Sequence, residues 1–193
     1  MTVKLLQSIS PFLSNVFLQN NDVEILRELN SNRVDQLDQV FQFITNSVSF
    51  VAWGVPTLLL LIAIIVKQSQ LRKKSILLLS SVLLSSLIST TLKYIIDRPR
   101  PFTTHDFIEK LSVGGSPSFP SGHTTEAFAF AVALCIAYPR WYIIIPSLLW
   151  ASAIGYTRIS LGVHYPSDVL AGATIGIATA YFCFRAFRYF KTN

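Results

Sequence analysis

Residues 47–66 read SVSFVAWGVPTLLLLIAIIV, twenty positions without a charge. A helix needs about 20 predominantly apolar residues to cross the hydrocarbon core of a bilayer. Working outward, further uncharged runs occupy residues 75–92, 141–157 and 169–184. A shorter one covers 127–138 and extends upstream through Glu126 to His123, and the last run reaches spanning length if its helix begins near Pro166. These runs lack the polar face that a surface helix of a water-soluble α protein shows. The reading is therefore an all-α, integral-membrane bundle of about five transmembrane helices. Composition agrees: 51% of the chain is hydrophobic and 13% charged, with a mean hydropathy of +0.49. A soluble domain carries about 25% charged residues.

The 193 residues suit one domain, with residues 1–45 as an amphipathic interfacial segment and 47–187 as the bundle that carries the site. In the N-terminal segment Leu5, Ile9, Phe12 and Val16 recur at helical spacing, and so do Val34, Leu37, Phe41 and Ile44. A polar break at Asn30 to Asn32 separates two expected helices, which either lie at the interface or pack on the bundle.

The net charge of +6 does not point to nucleic acid, because several of the basic residues sit at span ends. Lys67, Arg72, Lys73 and Lys74 fill the loop after the first span, Arg140 lies two spans later, and Arg185, Arg188 and Lys191 follow the last. With alternating spans all fall on one side, which the positive-inside rule makes cytoplasmic. The expectation is a bacterial inner (cell) membrane protein with a cytoplasmic C-terminus. Segments 94–122 and 158–168 then open together on the outer side. Cys135 and Cys183 lie inside apolar runs and read as packing residues.

Residues 97–122 differ in kind, holding Pro99, Pro101, Pro117 and Pro120 with Gly114, Gly115 and Gly122. A long loop between two spans reads as functional. In the segment TRISLGVHYPSD, residues 157–168, Pro166 suits the first position of a helix and Asp168 its first turn. His164 is then close enough for its Nδ1–H to meet Asp168, leaving the Nε2 lone pair aimed outward as a nucleophile or a general base. At residues 120–125, PSGHTT opens another helix. Its free N–H groups favour an anion, with Gly122 allowing close backbone approach, Ser121 adding a hydroxyl, and His123 placed to protonate a leaving oxygen. Taken alone, P-S-G is a common turn. Glu126 reads as a first-turn acid that favours the dipole or pairs a base. Lys93, Arg98, Arg100 and Arg158 gather up to four positive charges near the same face. Any one of them could merely snorkel; together they suit phosphate, which Arg binds bidentately and Lys as a point charge.

The series Lys93-x6-Arg100-Pro101, Pro120-Ser121-Gly122-His123 and Arg158-x5-His164-x3-Asp168 resembles the three-part signature of the type-2 phosphatidic acid phosphatase superfamily, over residues 93–168. One departure is Thr157, where the family usually has Ser; the hydroxyl is kept. Membrane members often have six spans, and here the amphipathic N-terminus stands in place of the first. The resemblance implies that His164 attacks phosphorus and becomes phosphohistidine, that Asp168 orients it, and that His123 protonates the departing oxygen and later helps activate water. It also implies that Lys93, Arg100, Arg158, Ser121 and Gly122 hold the phosphoryl oxygens.

The expected protein is thus a lipid phosphate or diphosphate phosphatase without cofactor or metal. Its partners would be a lipid phosphate and the bilayer, with no nucleic acid and no obligatory protein. Phosphatidic acid, phosphatidylglycerophosphate, undecaprenyl diphosphate and lipid A are the candidate substrates, and His105, Asp106 and Glu109 of the loop either touch the headgroup or are simply solvated. An anion transporter would show an inverted repeat or paired broken helices, which the chain lacks. A silent lipid-binding scaffold has no need of two His with an Asp partner.

Overall fold

The computed structural model describes residues 19–112 and 114–192. The amphipathic stretch Leu5 to Val16 lies outside them. Helix α1 (Gln19–Ser31) ends at the expected polar break. A 3-10 turn, Asp35–Leu37, leads into α2 (Asp38–Val48), a π-helical turn Ser49–Gly54 and α3 (Val55–Ile65). The second amphipathic stretch thus runs straight into the first span as part of one 31-residue helical segment, Asp35–Ile65. Pro56 would ordinarily break such a helix, because it has no N–H to donate. The π turn just before it absorbs the mismatch, with Val55 N–H reaching back to the Phe50 carbonyl.

Helix α4 (Ser69–Ile96) ends on Asp97 in the left-handed conformation, and among the described residues the four-residue α5 (Pro101–Thr104) alone interrupts the long loop before α6 (Gly122–Ala137). Helices α7 (Trp141–Ser160) and α8 (Pro166–Thr192) complete the bundle. Among the described residues four segments are long and apolar enough to cross a membrane, Asp35–Ile65, Ser69–Thr104, Trp141–Ser160 and Pro166–Tyr189, and the shorter apolar α6 is the fifth of the expected set.

Helix α6 is central, packed by α4, α7 and α8. Its small side chains explain the place: Ala127, Ala129, Ala131 and Ala133 are all fully buried, and small residues let helices approach closely within a bundle. Gly172 and Gly176 of α8 serve the same crossing. A Cβ on Gly172 would stand 2.8 Å from the Ser121 carbonyl oxygen, and one on Gly176 2.5 Å from that of Thr125. Large apolar side chains such as Leu58, Leu61, Ile65, Leu83, Leu87, Leu149, Leu170 and Phe182 point outward instead. A belt of that extent is intolerable in water and natural in lipid.

Glu126 plays neither of the parts its position suggested. It accepts from Trp53 Nε1 at 3.1 Å and from the Ser86 hydroxyl at 2.8 Å, tying the π turn and α4 to α6.

Candidate active site

The long loop, the turn between α7 and α8, and the first turn of α6 meet at one end of the bundle. The α7–α8 turn depends on Gly162, whose φ is +71° and whose missing Cβ would fall 2.5 Å from the Glu109 carbonyl oxygen. Both the steric space and the left-handed backbone require glycine here. The turn then closes with the Val163 and His164 N–H groups both donating to the Arg158 carbonyl at 3.2 Å. Asp168, three residues into the helix, reaches back to accept from Tyr165 N–H at 2.9 Å, the acidic half of a capping box.

His164 and Asp168 do come together, with an addition that sequence spacing could not show. Nδ1 lies 3.5 Å from Asp168 Oδ2, longer than an ordinary hydrogen bond. The Ser118 hydroxyl sits beside both, donating to Oδ2 at 2.5 Å and standing 3.4 Å from Nδ1. The other ring nitrogen does not open outward: Nε2 faces Arg100 Nη1 at 3.3 Å, and the residue is 2% exposed. Burial, above all, pushes the imidazole pKa down to about 3; the Asp168 carboxylate works the other way, and Arg158 and Arg100 add to the lowering. The ring is therefore neutral near pH 7 and keeps a lone pair.

The cations divide into distinct positions. Arg100 donates to the Ser116 carbonyl at 2.7 Å and to that of Val163 at 2.8 Å, so it spans the loop and the His164 turn. Gly114 lies close beside it: a Cβ there would stand 2.8 Å from Nη1, so a larger residue would displace the guanidinium. Lys93, in the last turn of α4, directs its ammonium at the carbonyls of Pro117 and Pro120, both at 2.8 Å, with Ser118 at 3.4 Å. It holds the loop and also brings charge. Arg158 is fully buried and reaches the hydroxyls of Thr45 at 2.9 Å and Ser112 at 3.2 Å, which makes α2 part of the site. Arg98 is committed to carboxylates, at 2.6 Å from Asp168 and 2.8 Å from Asp22.

At the head of α6, Ser121 N–H donates to the Asp168 carbonyl at 3.0 Å, and its hydroxyl lies 2.8 Å from that of Thr124. Gly122 faces Lys93, with 3.8 Å from a would-be Cβ to Lys93 Cε. His123 occupies the same turn, within the field of Arg158, Arg100 and Lys93. Of the loop residues considered for the headgroup, Glu109 pairs with Arg33 at 3.1 Å, and His105 packs its ring against Phe107 and Tyr165. A cavity of about 590 Å³ lies alongside, lined by Gln42, Asn46, Lys110, Ser112, Gly114 and Gly115 among others.

The sequence model of the PAP2 superfamily matches residues 74–192, which contain this whole cluster apart from Thr45 and Asp22. The chain belongs to that superfamily. Similarity extends to the lipid A 1-phosphatase of Rhizobium etli, 39% identical over 98 residues, 48% of this chain and 41% of that protein. The chain thus spans about two-fifths of the length of that relative. The lipid A 4'-phosphatase of Bacteroides thetaiotaomicron is 29% identical over 167 residues, 83% of this chain and 74% of its own. Among solved structures, the transmembrane PAP2-type phosphatidylglycerolphosphate phosphatase of Bacillus subtilis aligns with a TM-score of 0.70 at 25% identity. That alignment covers 97% of this chain and 94% of the other. Together with the four long apolar segments, this makes the chain an integral membrane protein.

Among the contributors that escaped the sequence reading are Ser118, Thr45 and Asp22. Ser118 carried a signal, since it lies in the proline-rich loop immediately upstream of PSGH. Thr45 and Asp22 carried none beyond a position on an amphipathic helix.

Proposed function

We propose that the chain is a membrane lipid phosphatase that works through a phosphohistidine at His164. The observation that carries this reading is the buried imidazole, with Nε2 against the Arg100 guanidinium and Nδ1 beside Ser118 and Asp168. In-line attack on phosphorus requires an unprotonated nitrogen that can be aimed at the phosphate, and a cation beside it can hold that phosphate in reach. When substrate binds, the Arg100 guanidinium turns from Nε2 to a phosphoryl oxygen. The Nε2 lone pair forms the N–P bond as the bond from phosphorus to the leaving oxygen breaks. His123 gives that oxygen a proton. In the second half, His123 takes a proton from water, the hydroxide oxygen bonds to phosphorus, and the P–N bond breaks to return neutral His164.

Charge spreads over the equatorial oxygens during such transfer, so fixed positive groups supply most of the catalysis. Arg100, Arg158 and Lys93 provide it, with Ser121 and the backbone at Gly122 completing the cradle. These cations stand where a divalent metal would in other phosphoryl-transfer sites, so activity is expected to survive EDTA. Asp168 holds the imidazolium character that develops at His164.

The substrates are lipid phosphates or diphosphates of the kinds that the relatives' names carry, lipid A among them, together with phosphatidic acid, phosphatidylglycerophosphate and undecaprenyl diphosphate. The basic residues at the opposite end of the bundle support a site on the outer face of the cell membrane with the C-terminus in the cytoplasm. The test is phosphate release from that panel by purified wild type and His164→Ala in detergent with EDTA. The reading expects release by the wild type alone, and equal release by the variant contradicts it.

A further inference from the structure

Asp22 lies in the first turn of α1, far from the signature in sequence and outside the matched residues. Its carboxylate is nevertheless almost fully buried and receives three hydrogen bonds. Ser167 donates its N–H at 2.9 Å and also its hydroxyl, and Arg98 donates Nη2 at 2.8 Å. The opposite nitrogen of the same guanidinium reaches Asp168 Oδ1 at 2.6 Å and Ser167 Oγ at 2.7 Å. The Arg98 plane rests on the Tyr165 ring, 3.9 Å from its centroid.

Docking of α1 does not require this arrangement. Leu26 is fully buried against Ile108 and Tyr165, and Arg27 stacks on Phe107. A buried ion pair is a poor source of stability, because apolar residues of similar volume often serve as well or better. What two carboxylates on one guanidinium achieve is orientation. Arg98, held from one side by Asp22, presents a single nitrogen to Asp168 Oδ1. The other oxygen, Oδ2, is thereby left for Ser118, Tyr165 N–H and His164. Released from Asp22, the guanidinium could take both Asp168 oxygens in a bidentate pair, which such groups favour. Oδ2 would then turn away from the imidazole.

We propose that Asp22 is a positioning residue of the site, acting through Arg98 to set the Asp168 carboxylate and, through it, the His164 ring. This rests on the phosphatase reading above. Helix α1 is then part of the working site and not only a surface anchor.

The test uses the full chain in detergent, with Asp22→Asn, Arg98→Lys and the double variant. Asn keeps the volume and an acceptor for Ser167 N–H but removes the charge that holds Arg98. The expected result for Asp22→Asn is a loss of kcat of roughly 10–100-fold with KM and thermal midpoint little changed, since small misplacements of reacting groups cost that much. In the Arg98→Lys background the same change adds no further loss, as coupled groups require. A wild-type kcat, or losses that multiply independently, overturns the proposal. Should Asp22→Asn fail to fold, Asp22→Glu keeps the charge and moves it by one methylene; a lowered kcat at constant KM supports the relay, and an unchanged kcat overturns it. One readout needs no turnover. The chain has 3 His, so ¹⁵N ring shifts of His164 are readily assigned by substitution. Asp22→Asn is expected to shift its tautomer balance, and an unmoved balance overturns the relay even if the wild type releases no phosphate, an outcome that would itself sink only the phosphatase reading.

Discussion

At the scale of single residues, the site turns on a histidine kept neutral. Burial is the main cause of its lowered pKa of about 3. The unfolded chain binds that proton near pH 6.5, so the folded state binds fewer protons between the two values. Stability contributed by the neutral ring is complete above about pH 6.5 and is lost as the pH falls toward about 3. Wild type is therefore expected to lose thermal midpoint between pH 7 and about pH 5 more steeply than His164→Asn, a comparison that thermal scans in detergent decide. Ser118 offers a second expectation. Its hydroxyl is the short link between the loop and Asp168 Oδ2, so Ser118→Ala should lower kcat by about 10-fold or more while leaving phosphate affinity intact. His123→Ala should cost about 100-fold or more on a lipid alkoxide, as removal of a general acid does. It should cost less on an ester with an acidic phenol leaving group, which needs no proton. Equal losses on both would place His123 elsewhere in the reaction.

Secondary elements show how far sequence reaches. The spans were legible because lipid imposes length and polarity on a helix without regard to its neighbours. Some signature residues were legible because their partners stand within a turn or two in sequence. His164 and Asp168 are such a pair, joined across the first turn of α8. Ser118, by contrast, joins Asp168 across fifty positions of chain, and Asp22 meets Ser167 across 145. Contacts of that kind depend on how whole helices dock, and no local period encodes them. The same holds for Glu126, whose partners lie on the π turn and α4. The small-residue crossing of α8 on α6 could have been found, since Gly172 and Gly176 stand four apart. Gly176→Leu is expected to force these helices apart and to lower the thermal midpoint severely. Gly162→Ala should disturb the His164 turn, costing about 1–3 kcal/mol through backbone strain alone, with kcat falling as the ring is displaced.

Over the whole molecule, the proposed chemistry sits where α6 begins and the long loop meets it. One end of the bundle carries Lys67 and Arg140 in its turns and Arg72, Lys73 and Lys74 in the first turns of α4, where the sequence suggests a loop, and the other end gathers the cluster around His164. On the proposed orientation, cations at that second end run against the charge bias expected of an outer loop, and the proposed phosphate-bearing substrate would account for them. The most direct test is chemical trapping. Purified enzyme mixed with a lipid carrying labelled phosphate and quenched within milliseconds is expected to hold the label on His164. That label should survive alkali, be released by acid, and be absent from His164→Ala. A quenched enzyme with no acid-labile label while phosphate is still released, or a label that persists in His164→Ala, would contradict the assignment and leave direct attack by water or another nucleophile.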